Sequence, residues 1–255
     1  IYFGIYIIFK IIKNNVIYTR LLCDLAISLR VKHMILISTD KAVRPTNIMG
    51  ASKRLAEIIV QSFAEKVIST DSEKFKTIFS MVRFGNVMGS SGSVIPLFQK
   101  QILNGGPITL TNPNIVRYFM TIPEAVNLVL EASFLAKGGE LFLLDMGKPI
   151  KIKYLAEQLI RLNGLRVKTK ESPQGDIEIN IIGLRPGEKL YEELLIDGES
   201  EMTDNDLIYK AKEKFIYSEE LWSRIDSLNN FCDELNVDKT LNLLKELVPE
   251  WSVKH

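Results

Sequence analysis

The chain has 255 residues, 46% hydrophobic and 25% charged, which is the composition of an ordinary globular protein. Its 32 Lys and Arg are balanced by 31 Asp and Glu, and this even charge argues against a nucleic-acid partner. Cys23 and Cys232 lie far apart and only two histidines are present, so we expect no metal site and no Ser-His-Asp triad, but reduced thiols in a cytoplasmic protein.

The first apolar segment allows several interpretations. Residues 1–12 are apolar except for Lys10, yet a helix needs about 20 apolar residues to cross a bilayer. The segment also lacks the basic start and the small-residue cleavage site of a signal peptide. It could be the stub of a longer membrane segment, a buried strand, or unrelated sequence left by truncation or frameshift, and we favour the last. We therefore leave it unassigned and expect no membrane span in this chain.

Beyond this segment, helical and strand patterns alternate. Helices are predicted over residues 14–29, 51–66, 94–103, 123–135 and 152–162, and strands over 34–37, 77–83, 108–110 and 141–144. Such alternation predicts βαβ units and a parallel sheet, so the fold class is α/β. After residue 164, a weak strand (177–182), a short helix (190–195) and a charged helical tail indicate a smaller α-rich lobe. We therefore divide the chain into domains at residues 13–164 and 165–255.

The loop after the first clear strand carries reactive side chains. Ser38-Thr39-Asp40-Lys41 places hydroxyls, a carboxylate and an amine at the carboxyl end of the strand, where open α/β sheets bind ligands. These groups can supply an acid and a base. From composition alone the stretch could equally be a solvated polar loop.

The spacing that follows resembles a known active site. Residues 38–53 read STDKAVRPTNIMGASK and resemble the extended short-chain dehydrogenase/reductase family, in which a Ser or Thr at a strand end precedes Tyr-x-x-x-Lys. Here Met49 stands at the tyrosine position and Lys53 at the lysine position. One branch has methionine as its normal residue: the bacterial UDP-N-acetylglucosamine 4,6-dehydratases that serve polysaccharide and glycan synthesis. The departure from the wider family is thus agreement with the narrower branch.

The resemblance implies a redox-neutral reaction that uses NAD. The implied catalytic residues are Thr39, Asp40, Lys41, Met49 and Lys53. The implied cofactor-binding residues are Asn15, Ser38, Lys53 and Phe84, with Lys53 holding the nicotinamide ribose. Thr39 would contact the sugar C4 hydroxyl, Asp40 would protonate the departing C6 oxygen, and Lys41 would take the C5 proton.

Three later blocks match the same branch in order: VRFGNVMGSSGSVIPLF (residues 82–98), RYFMT (117–121) and GLRPGEK (183–189). The implied UDP-sugar-binding residues are Asn86, Ser91, Val94, Arg117, Arg185 and Glu188. The helix starting near Val94 offers free N–H groups to a diphosphate, Arg185 offers a guanidinium fork, and Glu188 would bind the ribose hydroxyls. Arg117 could pair with phosphate or be a surface cation.

The family's Gly-x-Gly-x-x-Gly turn, which holds the NAD pyrophosphate, does not occur in the sequence. The resemblance therefore implies an incomplete Rossmann-type doubly wound sheet, a C-terminal part of a longer enzyme whose relatives are often membrane-anchored. We expect the 255 residues alone to be inactive. Two alternatives stay open: a C4 epimerase on the same fold, and a non-catalytic remnant or half-protein that needs a partner chain or forms a homo-oligomer.

Overall fold

A computed structural model describes residues 2–69, 76–90, 92–195, 199–211, 213 and 220–252. The helices are α1 (Tyr2–Ile12), α2 (Tyr18–Ser28), α3 (Ile48–Ser69), α4 (Val94–Leu103), α5 (Ile122–Leu135), α6 (Ile152–Leu162), α7 (Leu221–Asp233) and α8 (Val237–Leu247). The longer strands are β1 (His33–Thr39), β2 (Ile78–Phe84), β4 (Ile108–Leu110), β7 (Leu141–Leu144), β10 (Ile177–Ile181), β11 (Ser200–Met202) and β12 (Ile208–Ala211). The two-residue strands are β3 (Asn86–Val87), β5 (Val116–Arg117), β6 (Phe119–Met120), β8 (Ile150–Lys151) and β9 (Val167–Lys168).

The apolar runs form one central five-stranded sheet of order β1-β2-β7-β12-β11. β1, β2 and β7 are parallel, and β12 and β11 are antiparallel additions beyond β7. In register, Thr39 lies beside Phe84, so the carboxyl ends of β1 and β2 meet at one edge of the sheet. The predicted parallel α/β sheet of Rossmann type is confirmed.

The N-terminal segment is a helix, so its interpretation as a buried strand was wrong. α1 runs through a π-helical turn (Lys13–Ile17) into α2, and Phe9, Ile12 and Val16 are buried in the core. Uniform apolarity concealed this period, because residues on both faces are apolar and only one face packs inward. None of the helices in the described part of the chain combines the length and apolarity that a membrane crossing requires.

The C-terminal residues return to the first of two compact units. This unit comprises Ile1–Phe84, Leu128–Asp145 and Glu193–Lys254. Its core joins α3 and the central sheet to buried side chains of α7 and α8, among them Ile225, Leu228 and Leu244. The chain therefore does not divide at residue 164 as predicted, and the predicted helix at 190–195 is wrong, since those residues are not helical.

The second unit comprises Gly85–Asn127 and Met146–Glu192. Its parallel sheet, β4-β10-β9, packs with α4 and α6 around a separate apolar core that includes Phe98, Ile108 and Ile160. Two short pairs, β3 with β6 and β5 with β8, complete it. This unit carries the three later sequence blocks apart from the first residues of the 82–98 block.

Candidate active site

A compact group of hydroxyl, carboxylate and ammonium lies at the end of β1, in residues 38–47, which we call the β1 loop. Thr39 Oγ and Lys41 Nζ both donate to Asp40 Oδ1, each at 2.8 Å. The Asp40 side chain is buried, and its Oδ2 has no hydrogen-bond partner among the described residues. Lys41 is partly exposed, so the group opens to solvent on the lysine side. One proton can therefore move between acid and base along a single short hydrogen bond.

Helix α3 begins against this loop because Gly50 permits it. The Asn47 side chain accepts a hydrogen bond from the Gly50 N–H at 2.9 Å and so caps the helix start. A Cβ on Gly50 would lie 2.2 Å from the backbone oxygen of Lys41. Only glycine allows α3 to approach the β1 loop this closely.

The first two turns of α3 carry the residues at the family's Tyr and Lys positions, Met49 and Lys53. Met49 is half-buried, and its carbonyl accepts a hydrogen bond from Ser52. Lys53 lies with its Nζ 3.4 Å from the carbonyl oxygen of Ile37 in β1. Burial lowers the pKa of Lys53, and the negative charge of Glu57 acts against that shift. The α3 face thus brings a partly desolvated cation to the end of β1.

Asn15 reaches the same helix from the π-helical turn. The side-chain amide of Asn15 donates to Ser52 Oγ at 2.9 Å, and its backbone carbonyl accepts from the Thr19 hydroxyl at 2.7 Å. A π turn inside a helix often marks a functional position. Asn15 therefore contacts the residue that precedes Lys53, and its role toward a cofactor stays a prediction.

Ser38 does not present its hydroxyl to a ligand. It is buried and donates at 2.5 Å to Glu57 on α3, which is fully buried. Glu57 in turn holds the buried guanidinium of Arg83 on β2, at 2.8 Å and 2.7 Å from its two oxygens. Phe84 follows Arg83 at the end of β2, beside Thr39.

Glu57 and Arg83 belong to a buried ion cluster that was not predicted from the sequence; its members are Arg54, Glu57, Arg83, Glu213 and Glu250. Burial by itself would raise the pKa of Glu57, but Arg83 and Arg54 hold it below its ordinary value. Burial would likewise lower the pKa of Arg83, but Glu57 and Glu213 raise it far above its ordinary range. The available signal was an arginine inside an otherwise apolar strand, since buried charges require partners.

In the second unit, the guanidinium of Arg117 is already engaged. It donates to the carbonyls of Lys189 and Leu190 at 2.7 Å and 3.2 Å and lies within 4 Å of Glu188 and Glu192. Arg117 was expected either to bind phosphate or to be a surface cation. It is instead buried, and its hydrogen bonds link β5 to the segment that follows residue 188.

The remaining predicted binding residues of this unit lie on a short strand, at the start of a helix and in a loop. Asn86 donates to the Tyr118 carbonyl at 3.1 Å, and Val94 is the first residue of α4. Glu188 accepts from the Arg185 N–H and from Thr111, each at 3.1 Å, whereas the Arg185 side chain is exposed. Ser91 lies outside the described residues.

Comparison with known proteins bears on the family and its fold. A family model described as "Polysaccharide biosynthesis protein" matches residues 5–213. The capsular polysaccharide biosynthesis protein CapD of Staphylococcus aureus is 49% identical over 88% of this chain, which spans 35% of that protein. A UDP-glucose 4-epimerase of Rickettsia akari is 38% identical over 72% of this chain, which spans 49% of that protein. Because the match begins at residue 5, residues 5–12 are not unrelated sequence, which corrects that part of the interpretation of residues 1–12.

Two solved structures are similar in fold to this chain. Pen from Bacillus thuringiensis is 37% identical, with a TM-score of 0.65 over 80% of this chain and 59% of that protein. A dTDP-glucose 4,6-dehydratase from Bacillus anthracis, solved in complex with NAD, is 17% identical, with a TM-score of 0.54 over 94% of this chain and 70% of that protein, a likeness in fold alone. The chain therefore belongs to the polysaccharide biosynthesis protein family and forms part of a Rossmann-type short-chain dehydrogenase/reductase fold.

Proposed function

We propose that this chain supplies the catalytic loop and the nucleotide-sugar lobe of an NAD-dependent 4,6-dehydratase acting on UDP-N-acetylglucosamine. The observation that carries the proposal is the Thr39–Asp40–Lys41 group, in which one buried carboxylate binds a hydroxyl and an amine at 2.8 Å. Met49 adds support, because methionine stands at this position in the dehydratase branch that residues 38–53 resemble.

The Asp40–Lys41 pair can perform the elimination without gaining or losing charge. Transfer of one proton from Lys41 Nζ to Asp40 converts ammonium and carboxylate into amine and acid. Lys41 then takes the C5 proton and Asp40 gives its proton to the C6 oxygen, which leaves as water. The pair returns to ammonium and carboxylate, so the atoms balance. The proton would reach Asp40 at Oδ1, the oxygen that lies 2.8 Å from Lys41 Nζ.

When bound, NAD would supply the hydride acceptor for C4 and the hydride donor for C6. The C4 hydroxyl proton would leave to solvent beside Thr39. Lys41 would return a proton to C5 as hydride reaches C6, and a proton from solvent would restore the Lys41 ammonium. Lys53 and Asn15 would hold the ribose end of this cofactor: Lys53 Nζ lies 3.4 Å from the Ile37 carbonyl of β1, and Asn15 binds Ser52, the neighbour of Lys53. The 255 residues contain no glycine turn for the pyrophosphate. The proposed activity therefore belongs to a longer protein, and the chain by itself is expected to give no turnover.

The alternative is C4 epimerisation of a UDP-sugar, favoured by the 38% identity to a UDP-glucose 4-epimerase. Epimerisation needs no acid at C6, because no hydroxyl leaves. A buried carboxylate joined to an amine is therefore better explained by elimination.

Product analysis of the longer protein decides between them. With UDP-N-acetylglucosamine and NAD in deuterated water, the dehydratase gives a 4-keto-6-deoxy sugar with deuterium at C5. A C4 epimer without solvent deuterium would establish the epimerase instead. The third possibility, a non-catalytic remnant, predicts neither product even when NAD and UDP both bind.

A further inference from the structure

The buried ion cluster connects the β1 loop to the C-terminal end of the chain. The guanidinium of Arg83 lies between the carboxylates of Glu57 and Glu213, with contacts of 2.7 Å and 2.6 Å. Arg54 binds Glu57 at 3.0 Å and Glu250 at 2.7 Å. Every member belongs to the first unit, and Glu250 lies beyond residue 213, where the family match ends.

Stability alone is a weak explanation for such a cluster. Desolvating several charges costs about as much as their attraction returns, and well-packed apolar side chains often serve equally well. What the cluster supplies is fixed geometry, because an arginine fork binds each carboxylate in a defined plane. The relevant question is which functional group this geometry orients.

The cluster contacts the end of β1 through the 2.5 Å hydrogen bond from Ser38 to Glu57. Ser38 directly precedes Thr39, Asp40 and Lys41. The C-terminal end meets the same loop a second time, since the Ser252 N–H donates to the Pro45 carbonyl at 3.1 Å. The loop is therefore attached at its first residue by the cluster and near its last residue by the chain terminus.

We infer that Glu57 is a positioning residue for the β1 loop and that the C-terminal segment completes this function through Glu250 and Ser252. Glu57 holds Ser38, Arg83 and Arg54 fix Glu57, and Glu250 fixes Arg54. The consequence for catalysis rests on the proposed function, whereas the consequence for loop order does not.

Hydrogen exchange tests the loop order in the 255-residue chain. The reporter is the Val43 amide, which donates to the Asp40 carbonyl at 3.1 Å within the β1 loop. Ser38→Ala and the mild variant Glu250→Gln should each speed exchange at Val43, by about tenfold for Ser38→Ala, the scale of one lost hydrogen bond to a charged group.

Ser62→Ala is the matched control. Ser62 is also buried on α3, but its hydroxyl donates to the Ile58 carbonyl and does not touch the cluster. Faster Val43 exchange in Ser38→Ala and Glu250→Gln but not in Ser62→Ala supports the positioning role. Equal protection of Val43 in all three variants overturns it, whatever their melting temperatures.

Turnover by the longer protein adds the catalytic readout. Positioning predicts that Ser38→Ala lowers kcat with KM for the UDP-sugar unchanged. In the Ser38→Ala background Glu57→Gln should lower kcat little further, because Glu57 acts on the β1 loop through Ser38. Additive losses in kcat would overturn the shared link. If the wild-type protein shows no dehydratase activity, the proposed function fails while the exchange result still decides the positioning role.

Discussion

The β1 loop of the first unit and the loop at residues 183–189 of the second hold their charges in opposite surroundings. Asp40 and the Arg83 beneath it are buried, and their partners are protein groups. Arg185 is exposed, and its side chain has no partner among the described residues. Glu188 beside it folds back onto the Arg185 backbone. The first arrangement holds its charges in fixed hydrogen bonds, as the proposed proton transfer needs, and the second leaves a guanidinium exposed to solvent, as the proposed binding of an anionic ligand needs.

The largest change in stability is expected in the buried ion cluster. Arg83→Met removes the cation between Glu57 and Glu213 and should lower the free energy of unfolding by about 3–5 kcal/mol, the cost of breaking a buried ion pair. Denaturant titration measures this value. Arg224→Met is the control, because Arg224 pairs with Glu246 at the surface, where an ion pair contributes about 0–1 kcal/mol. Similar losses for both variants would contradict the comparison.

The next effect is on catalysis by the longer protein. Asp40→Asn and Lys41→Ala should each lower kcat by at least about 10²-fold, the usual contribution of a positioned acid or base. Both variants should keep their UDP affinity, since UDP is assigned to the second unit. The protein should be active with Met49 as it stands, without a Met49→Tyr substitution. Lys245→Ala, on an exposed part of α8, serves as the control. Near-normal rates for both Asp40→Asn and Lys41→Ala would refute the roles assigned to these two residues.

Elements set by local pattern could be predicted from the sequence, and those set by distant partners could not. α4, α6, β4 and β7 have the bounds that their apolar spacing predicts. β12 was missed because its strand character depends on pairing with β7, more than fifty residues earlier. The short helix at 190–195 was predicted from an apolar pattern, but those backbone groups bond to Val116 and Arg83 instead.

The candidate site likewise contains residues that local sequence predicts and residues that depend on distant partners. The succession Thr39-Asp40-Lys41 could be identified from sequence because its members are adjacent. The cluster that orients it joins Glu57 to Glu213 and Glu250, which no local spacing connects. Ser38 shows the limit most clearly, since a serine at a strand end predicts a ligand contact and the structure gives it a buried carboxylate.

In the second unit, Arg185→Ala should weaken UDP binding by roughly 1.5–3 kcal/mol, the range for hydrogen bonds to charged groups. Its loop is exposed, so the variant should leave the free energy of unfolding nearly unchanged. Calorimetry with UDP measures the affinity. Arg166→Ala is the control, since Arg166 is an exposed arginine of the same unit that faces Asp176. Unchanged affinity in Arg185→Ala would remove this residue from the UDP site.

A smaller change in the free energy of unfolding is expected for Gly50→Ala, and its direction is informative. Replacing glycine by alanine inside a helix ordinarily stabilises it by about 0.5–1 kcal/mol. Here the new Cβ would meet the Lys41 oxygen at 2.2 Å, so α3 or the β1 loop must shift. Gly50→Ala should therefore destabilise the chain by about 1–3 kcal/mol, as overpacking does, and speed exchange at Val43. A stabilised variant would show that the loop and helix separate freely.

The smallest change in stability is expected at the free edge of β1, although its effect on association should be clear. Among the described residues β1 pairs only with β2, and Ile37 is 43% exposed. An apolar strand edge tends to pair with other chains, so we expect the 255-residue chain to self-associate. α1 is a helix packed in the core and does not cover this edge as a substitute strand.

Ile37→Lys places a charge on that edge and should reduce self-association, while the free energy of unfolding changes by no more than about 0.5 kcal/mol. Ile122→Lys is the control, because Ile122 is 53% exposed but lies on a helix, where no strand can pair. Light scattering across a concentration series compares the three proteins. A wild-type chain that stays monomeric, or equal association of the wild type and both variants, would show that the β1 edge is not an association site.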